Sequence, residues 1–462
     1  MKHFLVLVIL SITAQGQIYA WFSQPPSAPT GGCPSGTGGT ANYCDFETYV
    51  ITKATVAGIT VVVPWAPYDN FAITGQPSLN LGMLGSLDSA LQAAATDGTK
   101  VKTINLILAA ASGSSPNAAT PSYVFTTSWA NTSPPVDVCY CSPNYPGTGS
   151  NGFSVTGPNC YNATSYAHNF PTKTFDASGV PASWEFPFYN AYHQFAQKFA
   201  AYYSGGPGGS SISSYIGYVR FGLLTGGGTV VPCPAVEEGI YPYGSTPTQS
   251  GVPAVPLTEP ILEQYATNVF SGIRAQSPKM ILNASMFGGE TFGTNGIVPT
   301  QWADDIASIA IANDFGITAE SLASTDLTSY ATAGPCSNDW CSLFNLYYPF
   351  APMLGLQTLS ISNPSCIVAC VPSNTTGTLV TVLPFGTQHH TTVFEVKYED
   401  LLCAYDQNTS PQYSSTNCPN TSPYSAPFAP YATTLANSAA GQPSSTSAVS
   451  GAASVTGSAM IQ

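Results

Sequence analysis

Charge is scarce in this chain. Only 7% of its 462 residues are Asp, Glu, Lys or Arg, ten of them basic, and the net charge is −13. Nucleic-acid surfaces and anionic membrane faces are met by clustered Lys and Arg, so both partners are excluded. Long apolar runs are missing as well. No stretch reaches the ~20 apolar residues of a membrane-spanning helix. Zinc-ligand spacing, a phosphate-binding glycine loop and a G-x-S-x-G elbow are also absent, and the reading therefore contains no metal and no cofactor.

What the chain does have is apolar and aromatic: 44% of residues are hydrophobic and 12% are Phe, Trp or Tyr. Disorder goes with few aromatics and much charge, so this chain folds. Ser, Thr, Asn and Gln must then make the surface polar. A neutral polar ligand such as a carbohydrate fits such a surface. Oligomeric state is not legible.

The first residues read as an export signal. Lys2 and His3 precede the apolar run Phe4–Ile12, and two small-residue cleavage sites follow, Ala14-Gln15-Gly16 and Ile18-Tyr19-Ala20. Residues 1–20 are therefore taken as a signal peptide and the protein as secreted. Twelve cysteines, an even number, agree with an oxidising compartment. Cys336/Cys341 and Cys366/Cys370 have no histidine nearby, which favours disulfides over metal ligation. Cys139 and Cys141 stand two apart, and one of them is a candidate partner for Cys160.

Residues 21–45, rich in Pro, Gly, Ser and Thr with Cys33 and Cys44, read as a stapled loop. Strands are then expected at Phe46–Ile51, Thr60–Pro64, Thr103–Ala109, the apolar start of Tyr215–Gly228, Lys279–Met286, Ile317–Leu322, Leu356–Ser362 and Thr391–Tyr398. Helical spacing runs between several of them. Leu84, Leu87 and Leu91 form one stripe, and Phe188, Tyr192, Phe195, Phe199 and Tyr202 another, with His193 placed at its surface rim. Eight strands alternating with helices predict an α/β fold, a (β/α)8 TIM barrel over 46–410. Residues 112–182 form a long cysteine-containing insertion after the third strand. Residues 411–462 are a Ser/Ala/Thr-rich tail, disordered from 435.

The order VVVPWAPYD, INLILAAAS, then SWEFPFYNAYHQFAQKFAAYYS leading to IGYVRFGLLTGGG, resembles secreted TIM-barrel glycoside hydrolases. The closing TTVFEVKYEDLLCAYD is similar in style. The resemblance covers roughly 46–406 and is architectural. It implies hydrolysis of O-glycosyl bonds by two carboxyls, in retaining members one after strand four and one at the end of strand seven. This chain departs at both places: strand four ends in Gly226-Gly227-Gly228, and Leu356–Ser362 holds no carboxylate.

The two carboxyls must face each other across the bond, about 5–5.5 Å apart for retention and ~6.5–9.5 Å for inversion. The candidates are Glu395 and Glu320, which alternate onto inward faces, Glu290 just beyond strand five, and Glu237 beside Glu238 after strand four. Arg220, Lys397, Glu320 and Glu395 equally suit a buried salt-bridge network with no catalytic part. Trp65, Tyr68 and Asp69 follow strand two, where rings could stack on sugars, or else plug a loop. Arg220 is a further substrate-binding candidate. His389-His390 precedes strand eight, at the end of the barrel away from the chemistry. Six Asn-x-Ser/Thr sequons occur, Asn283 among them inside strand five. Two functions stand side by side: a glycoside-hydrolase-like protein acting on an extracellular polysaccharide or oligosaccharide, and a non-catalytic carbohydrate-binding or adhesive protein on the same barrel.

Overall fold

A computed structural model describes residues 16–26, 46–109, 187–222, 259–287, 299–322, 340–358 and 386–398, the pair 138–140 and 159–161, and positions 44, 121, 123, 383 and 401. Eight strands close into a parallel barrel: β1 Gln17–Phe22, β2 Val56–Pro64, β3 Thr103–Ala109, β6 Ile216–Phe221, β7 Leu282–Phe287, β8 Phe315–Leu322, β9 Leu354–Thr358 and β10 Val393–Lys397. Each strand pairs with the next in chain order, and β10 returns to β1. Helices α1 Leu81–Ala95, α2 Pro187–Tyr203, α3 Glu259–Gln276, α4 Pro299–Ala312 and α5 Trp340–Tyr347 fill the crossovers. This is the (β/α)8 class. Between β3 and α2 the backbone of β4 Val138–Tyr140 pairs antiparallel with β5 Asn159–Tyr161, setting Cys139 opposite Cys160. Cys44 is disulfide-bonded. The remainder of the insertion and the tail from 411 lie outside the described residues.

One expected strand is wrong. Phe46–Val50 is a π-helical turn, and the first barrel strand is Gln17–Phe22, inside the segment read as leader and loop. The turn keeps its aromatic residue in the core, because Phe46 packs edge-on against Phe22 with ring centroids 4.9 Å apart. The barrel therefore starts at residue 17 rather than 46. β3 has the expected bounds, and β2, β7 and β8 contain or overlap theirs.

Strand alternation sorts the side chains into two cores. Ile18, Val61, Leu106, Val219, Ile317 and Phe394 face outward into one apolar layer under the helices, meeting Leu84, Leu91, Phe195 and Phe270. The opposite parity faces the barrel axis. There Tyr19, Tyr218, Met353 and Val393 form a small apolar floor at the N-terminal end. Above and around it the interior is polar: Thr60, Asn105, Arg220, Asn283, Thr318 and Glu395 are all buried. Barrels of this class usually fill that space with branched aliphatic side chains. Large polar groups fit because neighbouring positions are bare. A Cβ on Gly355 would lie 2.1 Å from Thr318 Oγ1, and one on Gly58 only 1.8 Å from the Thr103 carbonyl oxygen.

Outside the barrel, Asp88 ties α1 to α2. It is buried and accepts hydrogen bonds from Tyr202 Oη at 2.9 Å, Tyr203 Oη at 3.0 Å and Ser210 Oγ at 2.7 Å. Burial, with the Asp88 carboxylate second, pushes the Tyr202 phenol up to about 12, which keeps it a donor. His193 is half-buried. Its Nε2 lies 2.6 Å from Gln197 Nε2, and both press on Gly272 of α3, where a Cβ would fall 2.2 Å from the imidazole.

Candidate active site

Parallel barrels gather their chemistry at the C-terminal strand ends. Just below that mouth, β6, β9 and β10 bring together Tyr218, Arg220, Gln357 and Glu395, of which Gln357 was not anticipated from sequence. Arg220 Nη1 donates to Glu395 Oε2 at 2.7 Å, and Arg220 Nη2 donates to Gln357 Oε1 at 2.7 Å. The Tyr218 hydroxyl donates to the other carboxylate oxygen, Glu395 Oε1. Arg220 is 1% and Glu395 0% exposed, so this is an ion pair removed from solvent. Burial first, and Glu395's charge second, raise the Tyr218 phenol well above its ordinary value and keep it a donor.

The network continues downward. Tyr218 Oη sits 3.4 Å from Thr60 Oγ1, Asn105 Nδ2 donates to Thr60 at 3.3 Å, and Asn105 Oδ1 accepts from the Tyr218 backbone N–H at 3.2 Å. Tyr19 meets Tyr218 edge-on at 6.5 Å, and burial pushes its phenol up to about 12. Both oxygens of Glu395 are occupied by protein donors. Glu395 and Arg220 are thus paired across the middle of the barrel.

Above that pair the mouth begins. Lys397 stands two residues beyond Glu395 on β10, with Nζ 3.7 Å from the ring centroid of Trp21, its register partner on β1. Close approach of an ammonium to an indole face is a cation–π contact worth about 0.5–2 kcal/mol. Sequence reading missed Trp21 because it had assigned residue 21 to a loop.

Glu320 lies two residues beyond Thr318 on β8, with its backbone in register with Phe287, the last residue of β7. Between Ala319 and Leu322 the β8–β9 register shifts. Such irregularities re-aim side chains and gather at barrel rims and active sites. Glu290, Glu237 and Glu238, with the glycine run Gly226–Gly228, lie outside the described residues.

The loop after β2 is a built unit. Trp65 is fully buried, its ring 5.7 Å from both Tyr192 and Phe195 of α2. Asp69 accepts four hydrogen bonds. Trp65 Nε1 and the Tyr123 hydroxyl reach Oδ2 at 2.8 and 2.9 Å, and the backbone N–H groups of Phe71 and Ser78 reach Oδ1 at 2.9 and 3.3 Å. Tyr68 is 8% exposed. The ring of Trp65 thus packs on α2, and Asp69 organises the loop. Replacing it (Asp69→Ala) should cost about 2 kcal/mol in a denaturant titration, since four donors lose their acceptor. An unmoved midpoint would mean that the carboxylate is held for a ligand instead.

His389 and His390 precede β10 at the opposite, N-terminal end of the barrel. Burial, with His390 second, pushes His389 down to about 4, and the His390 ring stacks on Tyr348 at 3.8 Å. Asn283 is fully buried in β7, out of reach of glycosylation. Among the described residues, no group of three His, Cys, Asp or Glu could hold a metal ion, and no helix is long and apolar enough to cross a membrane.

The barrel places this chain in a fold class that hosts many chemistries. No family model matches it, and no curated protein does. Among solved structures, the catalytic domain of a beta-amylase from Paenibacillus polymyxa aligns over 84% of this chain and 93% of its own length. Identity is 11% and the TM-score 0.43, a likeness too slight to carry an argument. The fold assignment rests on the closed parallel topology itself.

Proposed function

We propose that the chain is a secreted, glycoside-hydrolase-like barrel acting on an extracellular polysaccharide or oligosaccharide. The observation that carries this reading is Glu320. It is a carboxylate near the C-terminal end of β8, at a register break, on a barrel whose central ion pair already holds Arg220 and Glu395. Hydrolysis needs a second carboxyl across the bond from it. Glu290 and Glu237 are the candidates, with Glu395 as the buried anchor of the barrel.

The test is release of reducing ends from a panel of neutral glycans at acidic and neutral pH. The wild-type protein should cleave at least one. Glu320→Gln should lower that rate about 100-fold or more, the usual weight of a general acid or base. A Gln variant with the wild-type rate overturns the assignment.

A second reading has its own support. Glu395 is held by Arg220 and Tyr218, and Asp69 by its loop, so protein donors occupy two of the carboxylates offered by the sequence. A non-catalytic carbohydrate-binding or adhesive barrel fits that. Binding on a glycan array without cleavage of any bound glycan would favour it.

A further inference from the structure

The N-terminal segment offers two cleavage sites, after Gly16 and after Ala20, and the fold distinguishes them. This inference rests on the reading of the protein as secreted. Gln17–Phe22 is the barrel strand that joins β10 to β2, and those two strands meet only through it. Gln17, Ile18, Tyr19, Ala20 and Trp21 are each in register with a residue of β10, from Val393 to Lys397. Ile18 and Ala20 are fully buried in the outer core, and Tyr19, 3% exposed, covers the barrel floor.

A cut after Ala20 would leave two of the six strand residues and open the barrel. A cut after Gly16 leaves the strand whole. Gln17 is its one exposed residue, so an ammonium there stays solvated. The Gln17 nitrogen already donates to the Thr392 carbonyl at 2.8 Å, which an N-terminal amine can also do. The residues fit too. Ala14 and Gly16 are small at the third and first positions before this cut, whereas the alternative sets Ile18 at the third.

We propose that export processing cuts the Gly16–Gln17 peptide bond by hydrolysis, so that the mature chain begins at Gln17 as the first residue of the barrel. The signal and the fold then abut with no spacer.

The experiment expresses the full chain in a secreting host and reads the N-terminal peptide of the exported protein by mass spectrometry. The expected peptide begins at Gln17, as glutamine or as its cyclised form with one ammonia lost. A peptide beginning at Trp21, or elsewhere within β1, overturns the inference while leaving secretion intact. A chain retained in the cells with Met1 attached overturns the secretion reading and the cut together. Ala14→Leu supplies a second test, because the mature chain is unchanged. It should reduce the Gln17 product at least several-fold, and undiminished processing would count against the site.

Discussion

A chain begun at Trp21 will not fold, whereas one begun at Gln17 will fold as the full barrel. The four residues between them carry Ile18, Tyr19 and Ala20, each almost wholly buried. Burying a large apolar side chain contributes about 1.5–3 kcal/mol, and each lost ladder hydrogen bond costs about 1 kcal/mol more. Together these reach the ~5–15 kcal/mol that holds an ordinary domain. The damage is also topological. Without β1, strands β10 and β2 become open edges, and edges of that kind pair between chains. Both versions should be refolded under the same oxidising conditions and compared by soluble yield and thermal unfolding. The longer should melt cooperatively. The shorter should aggregate or show no transition, and a cooperative melt from it would remove Gln17–Phe22 from the barrel.

The second large effect lies at the centre. Glu395→Leu or Arg220→Met, taken singly, should each destabilise the protein by about 3–5 kcal/mol, because each strands the other's charge out of water. The pair replaced together by apolar residues of similar size, Arg220→Met with Glu395→Leu, should lose less than either single change. Gln357 and Tyr218 lose partners as well, so full recovery is not expected. Chemical denaturation of the four proteins measures the coupling. If the single variants unfold at the wild-type midpoint, the ion pair has no structural role.

Much of the barrel was legible because alternation is a local property. Val219 and Phe221 on one face of β6, with Tyr218 and Arg220 on the other, can be read from six consecutive residues, and the fold keeps that division. β1 was hidden by what precedes it. Gln-Ile-Tyr-Ala-Trp-Phe follows the apolar run Phe4–Ile12 so closely that its first four residues read as the end of the leader and its last two as the start of the loop. Phe46–Val50 has the aromatic and β-branched content of a strand, but no neighbour is left for it once β1 fills the gap between β10 and β2.

The site was legible in part for the same reason. The inward face of Glu395 follows from Phe394 and Val396 beside it. Its partner does not, since Arg220 lies 175 residues earlier and meets it only across the closed barrel. Trp65 fits the pattern of an aromatic at a barrel mouth, and only its contacts with Tyr192 and Phe195 turn it into packing. Asp88 did leave a signal. It sits next to Leu87 and three residues before Leu91, a charge on an otherwise apolar stripe.

The central claim is that Glu395 maintains the barrel and that the chemistry belongs to the rim above it. The most direct test measures melting temperature and glycan hydrolysis together for Glu320→Gln and Glu395→Gln. The prediction is that Glu320→Gln keeps its melting temperature and loses hydrolysis, while Glu395→Gln melts well below the wild type. The opposite pattern, a Glu395→Gln protein with wild-type melting and no hydrolysis beside an active Glu320→Gln, would contradict it.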